Sequence, residues 1–140
     1  MKSFIFVSIQ FLLIGLIGLY TGVFGGVFQN VVMSLGVLLG LWAIATMRLR
    51  VNIFPDVQDD QQLFTSGPYK YLRHPMYTAV LLVTLAWVMN WVNVLSLTLW
   101  LLLLTNLILK LNYEERLLQA KFKSYKSYMQ RTKRLIPFVY

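Results

Sequence analysis

The sequence predicts an all-α integral membrane protein, with four transmembrane helices followed by an amphipathic helix on the cytoplasmic side. Three observations carry this. Of 140 residues, 58% are hydrophobic and only 13% charged, against about a quarter charged in an ordinary soluble domain. The apolar residues come in runs rather than one-faced stripes, as a bilayer solvent demands. The 13 Lys and Arg residues are confined to Lys2, the segment 48–73 and the segment 110–134.

The apolar runs are 4–24, 31–47, 76–89 and 92–109. The first and last suffice to cross about 30 Å of hydrocarbon at about 1.5 Å per residue. The second and third are shorter and need flanking residues. The first run follows Lys2, as a secretion signal would. It is longer than a typical signal core and no Ala-x-Ala-like site follows it, so a retained helix is expected. The connections "GGVFQN" (25–30) and "NW" (90–91) carry no basic residue. The positive-inside rule then puts both termini and the middle loop in the cytoplasm, at the inner membrane if the cell is bacterial.

The chain reads as a single membrane domain, 1–140, with an N-terminal helical hairpin (1–47). Gly18, Gly22 and Gly26 are spaced by four, as are Gly36 and Gly40; such spacing lets membrane helices approach closely. A second hairpin turns at Asn90. The middle loop carries Asp56, Asp59 and Asp60, whose spacing fits no calcium or catalytic pattern; a solvated loop is expected. In the tail, Leu111, Leu118, Phe122, Tyr125 and Met129 recur at helical spacing with lysines between them. This predicts that the last transmembrane helix runs on into an amphipathic cytoplasmic helix, with Lys110 reaching out to the headgroups.

Several chemistries are excluded. There is no cysteine, and hence no thiolate nucleophile, disulfide or cysteine metal site. No GxGxxG, phosphate loop or His/Glu metal motif is present, so no metal is expected. The +8 net charge sits beside apolar runs without a recognised module for nucleic acid, which points to the lipid bilayer as partner.

Two clusters could carry chemistry. The stretch "GPYKYLRHPMYTAV" (67–80) packs two prolines, three tyrosines, Lys70, Arg73 and the only histidine, His74, into 14 positions. Proline suits the first position of a helix, so Pro75 should start the third helix, at the cytoplasmic face. The free N–H groups of that first turn favour an anion such as a carboxylate or phosphate. Equally, Arg73 could anchor at headgroups and His74 satisfy a loop carbonyl. The second cluster is "NYEER" (112–116), where Glu114 and Glu115 stand at the cytoplasmic exit of the last transmembrane helix. Carboxylates near a bilayer are costly unless paired or bound. They could pair with neighbouring Arg and Lys, or take the hydroxyl or ammonium groups of a ligand.

Together, "GPYKYLRHPMY", "EERLL" about 35 residues on, F-x-x-Y-x-x-Y (Phe122, Tyr125, Tyr128) and "RTKRLIP" (131–137) resemble the isoprenylcysteine carboxyl methyltransferase family, related to the phospholipid methyltransferases. The resemblance covers residues 66–138. It implies a membrane enzyme that uses S-adenosylmethionine without a Rossmann domain and holds it on the cytoplasmic side. Arg73, His74, Pro75, Tyr77, Glu114 and Glu115 are the implied cofactor residues, and Arg131 and Arg134 the candidates to position the acceptor. That acceptor is lipophilic or membrane-accessible: a carboxylate, thiol or amine. Some relatives carry glycine after the phenylalanine; this chain has Lys123. Two other readings remain open. The membrane sterol reductases, which use NADPH, resemble the same C-terminal region including an ending like "IPFVY", but are much longer. A non-enzymatic membrane anchor with a lipid-binding basic tail is the third. The sequence leaves the oligomeric state open.

Overall fold

The computed structural model describes residues 2–48, 54, 63–137 and 139–140. Among these residues the helices are α1 (Lys2–Thr21), α2 (Val27–Thr46), α3 (Pro75–Val88), α4 (Val94–Lys121) and α5 (Tyr125–Arg131), with a 3-10 turn at Gly67–Lys70. The described residues contain no strand; Leu72 and Lys133 form an isolated parallel bridge. The aspartates Asp56, Asp59 and Asp60 lie outside the described residues.

Three helices are long and apolar enough to cross a membrane: Ser3–Thr21, Val27–Thr46 and Val94–Lys121. The expectation of four such spans is met by three plus a shorter apolar helix. Pro75 fixes where α3 begins and the chain turns at Met89 and Asn90, leaving 14 helical residues. That is about 21 Å, short of the roughly 30 Å hydrocarbon layer. At 28 residues, α4 is about 42 Å long and overshoots that layer. Leu19, Phe24, Val27 and Val94 are almost fully exposed, an outer surface suited to lipid rather than water.

α3 and α4 pack on each other as the hairpin expected around Asn90, whereas α1 and α2 pack mainly on other helices. α2 packs on α3, and α1 packs on α4 and α3. The glycines explain the exchange. A side chain on Gly36 would press on the Ala79 carbonyl, Leu82 and Val83, and one on Gly40 would stand 3.4 Å from the Ala79 Cβ. The small residues therefore bring α2 against α3. Gly18 on α1 faces the Trp87 ring of α3 in the same way. Leu13, Ile17, Val88, Leu103 and Leu107 close the core between α1, α3 and α4.

The two turns at one end of the bundle are tied together. Asn90 Nδ2 donates to the Gly22 carbonyl at 3.0 Å, and a Cβ on Gly25 would collide with the Asn90 side chain. Asn93 and Ser96 start α4 with a reciprocal capping box, both bonds 3.0 Å. At the other end, the Phe6 ring meets Tyr113, Tyr69 donates to Met47 Sδ, and Arg73 meets Glu115. The start of α1, the end of α2, the start of α3 and the end of α4 therefore gather there, with the described basic segments.

The expected continuous C-terminal helix is broken. Phe122 is extended (φ −109°, ψ 112°), ending α4, and α5 is a separate helix of seven residues. The apolar periodicity survives the break because Leu118, Tyr125 and Tyr128 still share one buried cluster, with Leu63, Phe122 and Met129 against it.

The 3-10 turn hangs on Gly67, which has φ +56° and stands so close to Thr46 that a Cβ would collide with it. Gly67→Ala should destabilise the fold by about 1–3 kcal/mol, read as a lower melting temperature in detergent. Gly15→Ala, on α1 with open space around it, should leave the melting temperature unchanged or slightly raised.

Candidate functional site

Pro75 occupies the first turn of α3, and His74 is the residue just before the helix. The strand-like segment leading into it is held by the C-terminal tail. Arg73 N–H donates to the Lys133 carbonyl (2.7 Å), His74 N–H to the Arg134 carbonyl (3.1 Å), and Lys133 N–H to the Tyr71 carbonyl (3.0 Å). Thr78 Oγ1 adds a bond to the Leu135 carbonyl at 2.7 Å. The helix mouth is thus built from two stretches nearly 60 residues apart in sequence.

Glu115 is the meeting point. It is buried near the end of α4, and its Oε1 accepts from Arg73 Nε at 2.7 Å, with His74 Nε2 at 3.3 Å. Its Oε2 has the Arg134 guanidinium 3.0 Å away, close but without hydrogen-bond alignment. Arg73 also donates through one terminal nitrogen to the carbonyls of Met129 (3.0 Å) and Thr132 (2.6 Å). Its bonds point inward, joining α4, α5 and the tail rather than reaching out to solvent.

Glu114 is placed differently. Its Oε2 accepts from the Tyr77 hydroxyl at 2.8 Å and lies 3.9 Å from His74 Nδ1. The His74 and Tyr77 rings stack, with centroids 5.2 Å apart. Glu114 remains partly exposed, on a cleft partly open to solvent that Tyr69, Arg73, His74, Tyr77, Tyr125 and Tyr128 also line. Burial pushes the phenols of Tyr69, Tyr125 and Tyr128 well above the ordinary tyrosine value, with the Glu115 carboxylate adding to the shift at Tyr125 and Glu114 at Tyr69. All three are neutral hydroxyls. Tyr128 donates to the Tyr69 carbonyl at 2.6 Å. Tyr125, almost wholly buried, has no hydrogen-bond partner for its hydroxyl among the described residues.

The structure therefore brings together Arg73, His74, Pro75, Tyr77, Glu114, Glu115 and Arg134. It does not bring Arg131 there. Arg131 is exposed at the end of α5, bonded to the Ser127 carbonyl at 3.3 Å, in a separate groove beside Lys70 and Tyr71. The sequence did not single out Tyr69 as a site residue, and it gave Tyr125 and Tyr128 as part of the F-x-x-Y-x-x-Y motif, with Tyr125 also on the helix face, but not as residues of the site; their i, i+3 spacing was the available signal, since it stacks both rings on one side. Lys110 is a correction. It does not reach the headgroups but is buried, because Gln10 Oε1 on α1 accepts from its ammonium at 2.8 Å and the Tyr77 ring lies 5.1 Å from it.

The family model for phospholipid methyltransferases matches residues 24–125. The match takes in α2 through the start of α5, and with them both clusters above, but not α1 or the "RTKRLIP" run. No curated protein and no solved structure matches the chain. With the family model covering more than half of its length, the chain belongs to the phospholipid methyltransferase family, which also holds the isoprenylcysteine carboxyl methyltransferases.

Proposed function

We propose that the protein is an S-adenosylmethionine-dependent methyltransferase that binds its cofactor in the cleft between the mouth of α3 and the end of α4, and methylates a lipophilic acceptor. The observation that carries this is the convergence of His74, Tyr77 and Glu114 on a cleft also lined by Tyr125, whose buried hydroxyl has no partner among the described residues. A buried hydroxyl without a partner costs about 1–3 kcal/mol, and a polar ligand would relieve it. The donor set suits a zwitterionic nucleoside: a carboxylate for ammonium or ribose hydroxyls, histidine and tyrosine for its polar groups, and aromatic walls for its base. Membership of a family of membrane methyltransferases supports the same reading.

The cofactor brings an already activated methyl group, so the protein's work is alignment. Arg73 holds Glu115 and the tail in place. His74, Tyr77 and Glu114 orient the ligand, with Pro75 fixing the start of α3. Arg134 is the positioning residue for the acceptor. Its other terminal nitrogen donates to the Tyr140 hydroxyl at 2.8 Å, and Tyr140, Leu135 and Ile136 form one end of an apolar groove between α3 and α4. That groove, lined by Leu81, Leu85 and Leu104, would take the acceptor's hydrocarbon chain. In this reading α3 crosses the bilayer with the help of its flanking residues. The end of the bundle carrying the basic segments faces the cytoplasm, and the cleft opens there.

Calorimetry on the detergent-solubilised protein should show saturable binding of S-adenosylhomocysteine and none of NADPH; the reverse pattern would transfer the assignment to a reductase. Tyr125→Phe should lower that affinity by roughly three- to tenfold with no fall in melting temperature, since no protein group loses a bond. Glu115→Ala should instead destabilise the fold by about 3–5 kcal/mol by stranding the buried Arg73, visible as a lowered melting temperature without ligand. Arg134→Ala should slow methyl transfer by about 10-fold or more while S-adenosylhomocysteine still binds; unchanged turnover would remove Arg134 from the acceptor site.

A further inference from the structure

Gln10 and Lys110 form a buried polar pair, next to Tyr77, that the cofactor assignment leaves unused. The Lys110 ammonium donates to Gln10 Oε1 at 2.8 Å and sits 5.1 Å from the centre of the Tyr77 ring. Tyr77 in turn donates to Glu114 and stacks on His74. Gln10 and Lys110 are both buried. One turn earlier on α4, Asn106 donates to the Phe6 carbonyl at 3.1 Å, so two polar contacts set the register of α1 on α4.

A buried ammonium is a costly way to join two helices. Apolar side chains of similar volume often stabilise such a contact as well or better, and an ionisable group among apolar helices needs dedicated partners. What the ammonium supplies is direction. An amide oxygen on α1 holds it on one side, and the negative face of an aromatic ring attracts it on the other. The same ring carries the hydroxyl that reaches Glu114. α1 lies outside the residues that the family model matches, so this support reaches the site from outside the family region.

We propose that Gln10 and Lys110 are positioning residues of the cofactor site. Gln10 holds the Lys110 ammonium over the Tyr77 ring, and this fixes the Tyr77 hydroxyl that orients the Glu114 carboxylate on the cleft. The proposal rests on the cleft being the cofactor site, as assigned above. It makes α1 part of the binding machinery, where packing alone would make it a filler of bundle volume.

The test is S-adenosylhomocysteine affinity by calorimetry on the full chain in detergent, with a melting temperature for each variant. Gln10→Leu should weaken binding roughly fivefold, the scale of one cation–aromatic contact, and Gln10→Glu should keep wild-type affinity by retaining an acceptor. Gln10→Leu combined with Tyr77→Phe should bind no more weakly than Tyr77→Phe alone, since both cut one chain. Leu13→Ala, a packing change on the same helix, should lower the melting temperature without lowering affinity. Should Gln10→Leu not fold, Gln10→Met makes the same comparison. Wild-type affinity in Gln10→Leu, losses that simply add with Tyr77→Phe, or an equal loss in Leu13→Ala would each overturn the proposal. A wild-type chain with no affinity at all would remove the cleft assignment and this proposal together.

Discussion

One buried ion pair organises the functional end of the molecule. Arg73 reaches Glu115 across 42 residues of sequence and the carbonyls of Met129 and Thr132 across 56 and 59. A guanidinium suits this work because its donors lie in one rigid plane and can serve several acceptors at once. The pair is nearly dry, with side-chain exposures of 8% and 2%. Removing two such charges from water is expensive, and the attraction repays it only when the remaining donors and lone pairs are also met. The two carbonyls and His74 supply further hydrogen-bonding contacts, and Arg134 adds a second charge beside Glu115 Oε2 without an aligned hydrogen bond. The helix mouth, the end of α4 and the tail therefore stand or fall together, although the family match covers only the first two.

Helix lengths decide where this end can form. α3 has 14 residues and α4 has 28, and the short connection around Asn90 joins them at the far end. α4 must run on well past the start of α3. The overhang cannot be left bare, since Glu115, Leu118 and Leu111 are buried on it. The 3-10 turn, the segment before Pro75 and α5 fill the space beside it. An open cleft with polar walls results where a uniform four-helix bundle would have only a flat end.

What could be read in the sequence follows from which signals are local. Pro75 announces the start of α3 because its missing N–H and fixed φ suit that position alone. Glu114 and Glu115 announce an unusual helix end because acids beside long apolar runs need partners. The confinement of basic residues to three segments anticipated that they would share one end of the bundle. Helix pairing was not legible in this way. α1, α2 and α3 are apolar nearly all round, so periodicity names no buried face, and the partner of Gly36 and Gly40 proved to be Ala79 on α3 rather than α1. The break at Phe122 was hidden because apolar spacing continues through it. Lys110 turned inward for a reason no local rule contains, a glutamine 100 residues away.

The two adjacent acids show how such long-range contacts divide labour within one motif. Residues 114 and 115 are neighbours on a helix and so point about 100° apart. Glu115 turns to the cationic side, where Arg73 and Arg134 both stand within 3.0 Å, and its charge is absorbed by the fold. Glu114 turns to the cleft, held by a neutral phenol at 2.8 Å, with His74 at 3.9 Å and the Lys110 charge also acting on it. Unlike Glu115, it lines the cavity and is partly exposed. On the proposed reading this is the carboxylate that meets the cationic portion of the cofactor, while its neighbour keeps the walls in place. A single acid could not do both, because the guanidinium contacts that hold the scaffold would also neutralise the ligand's partner.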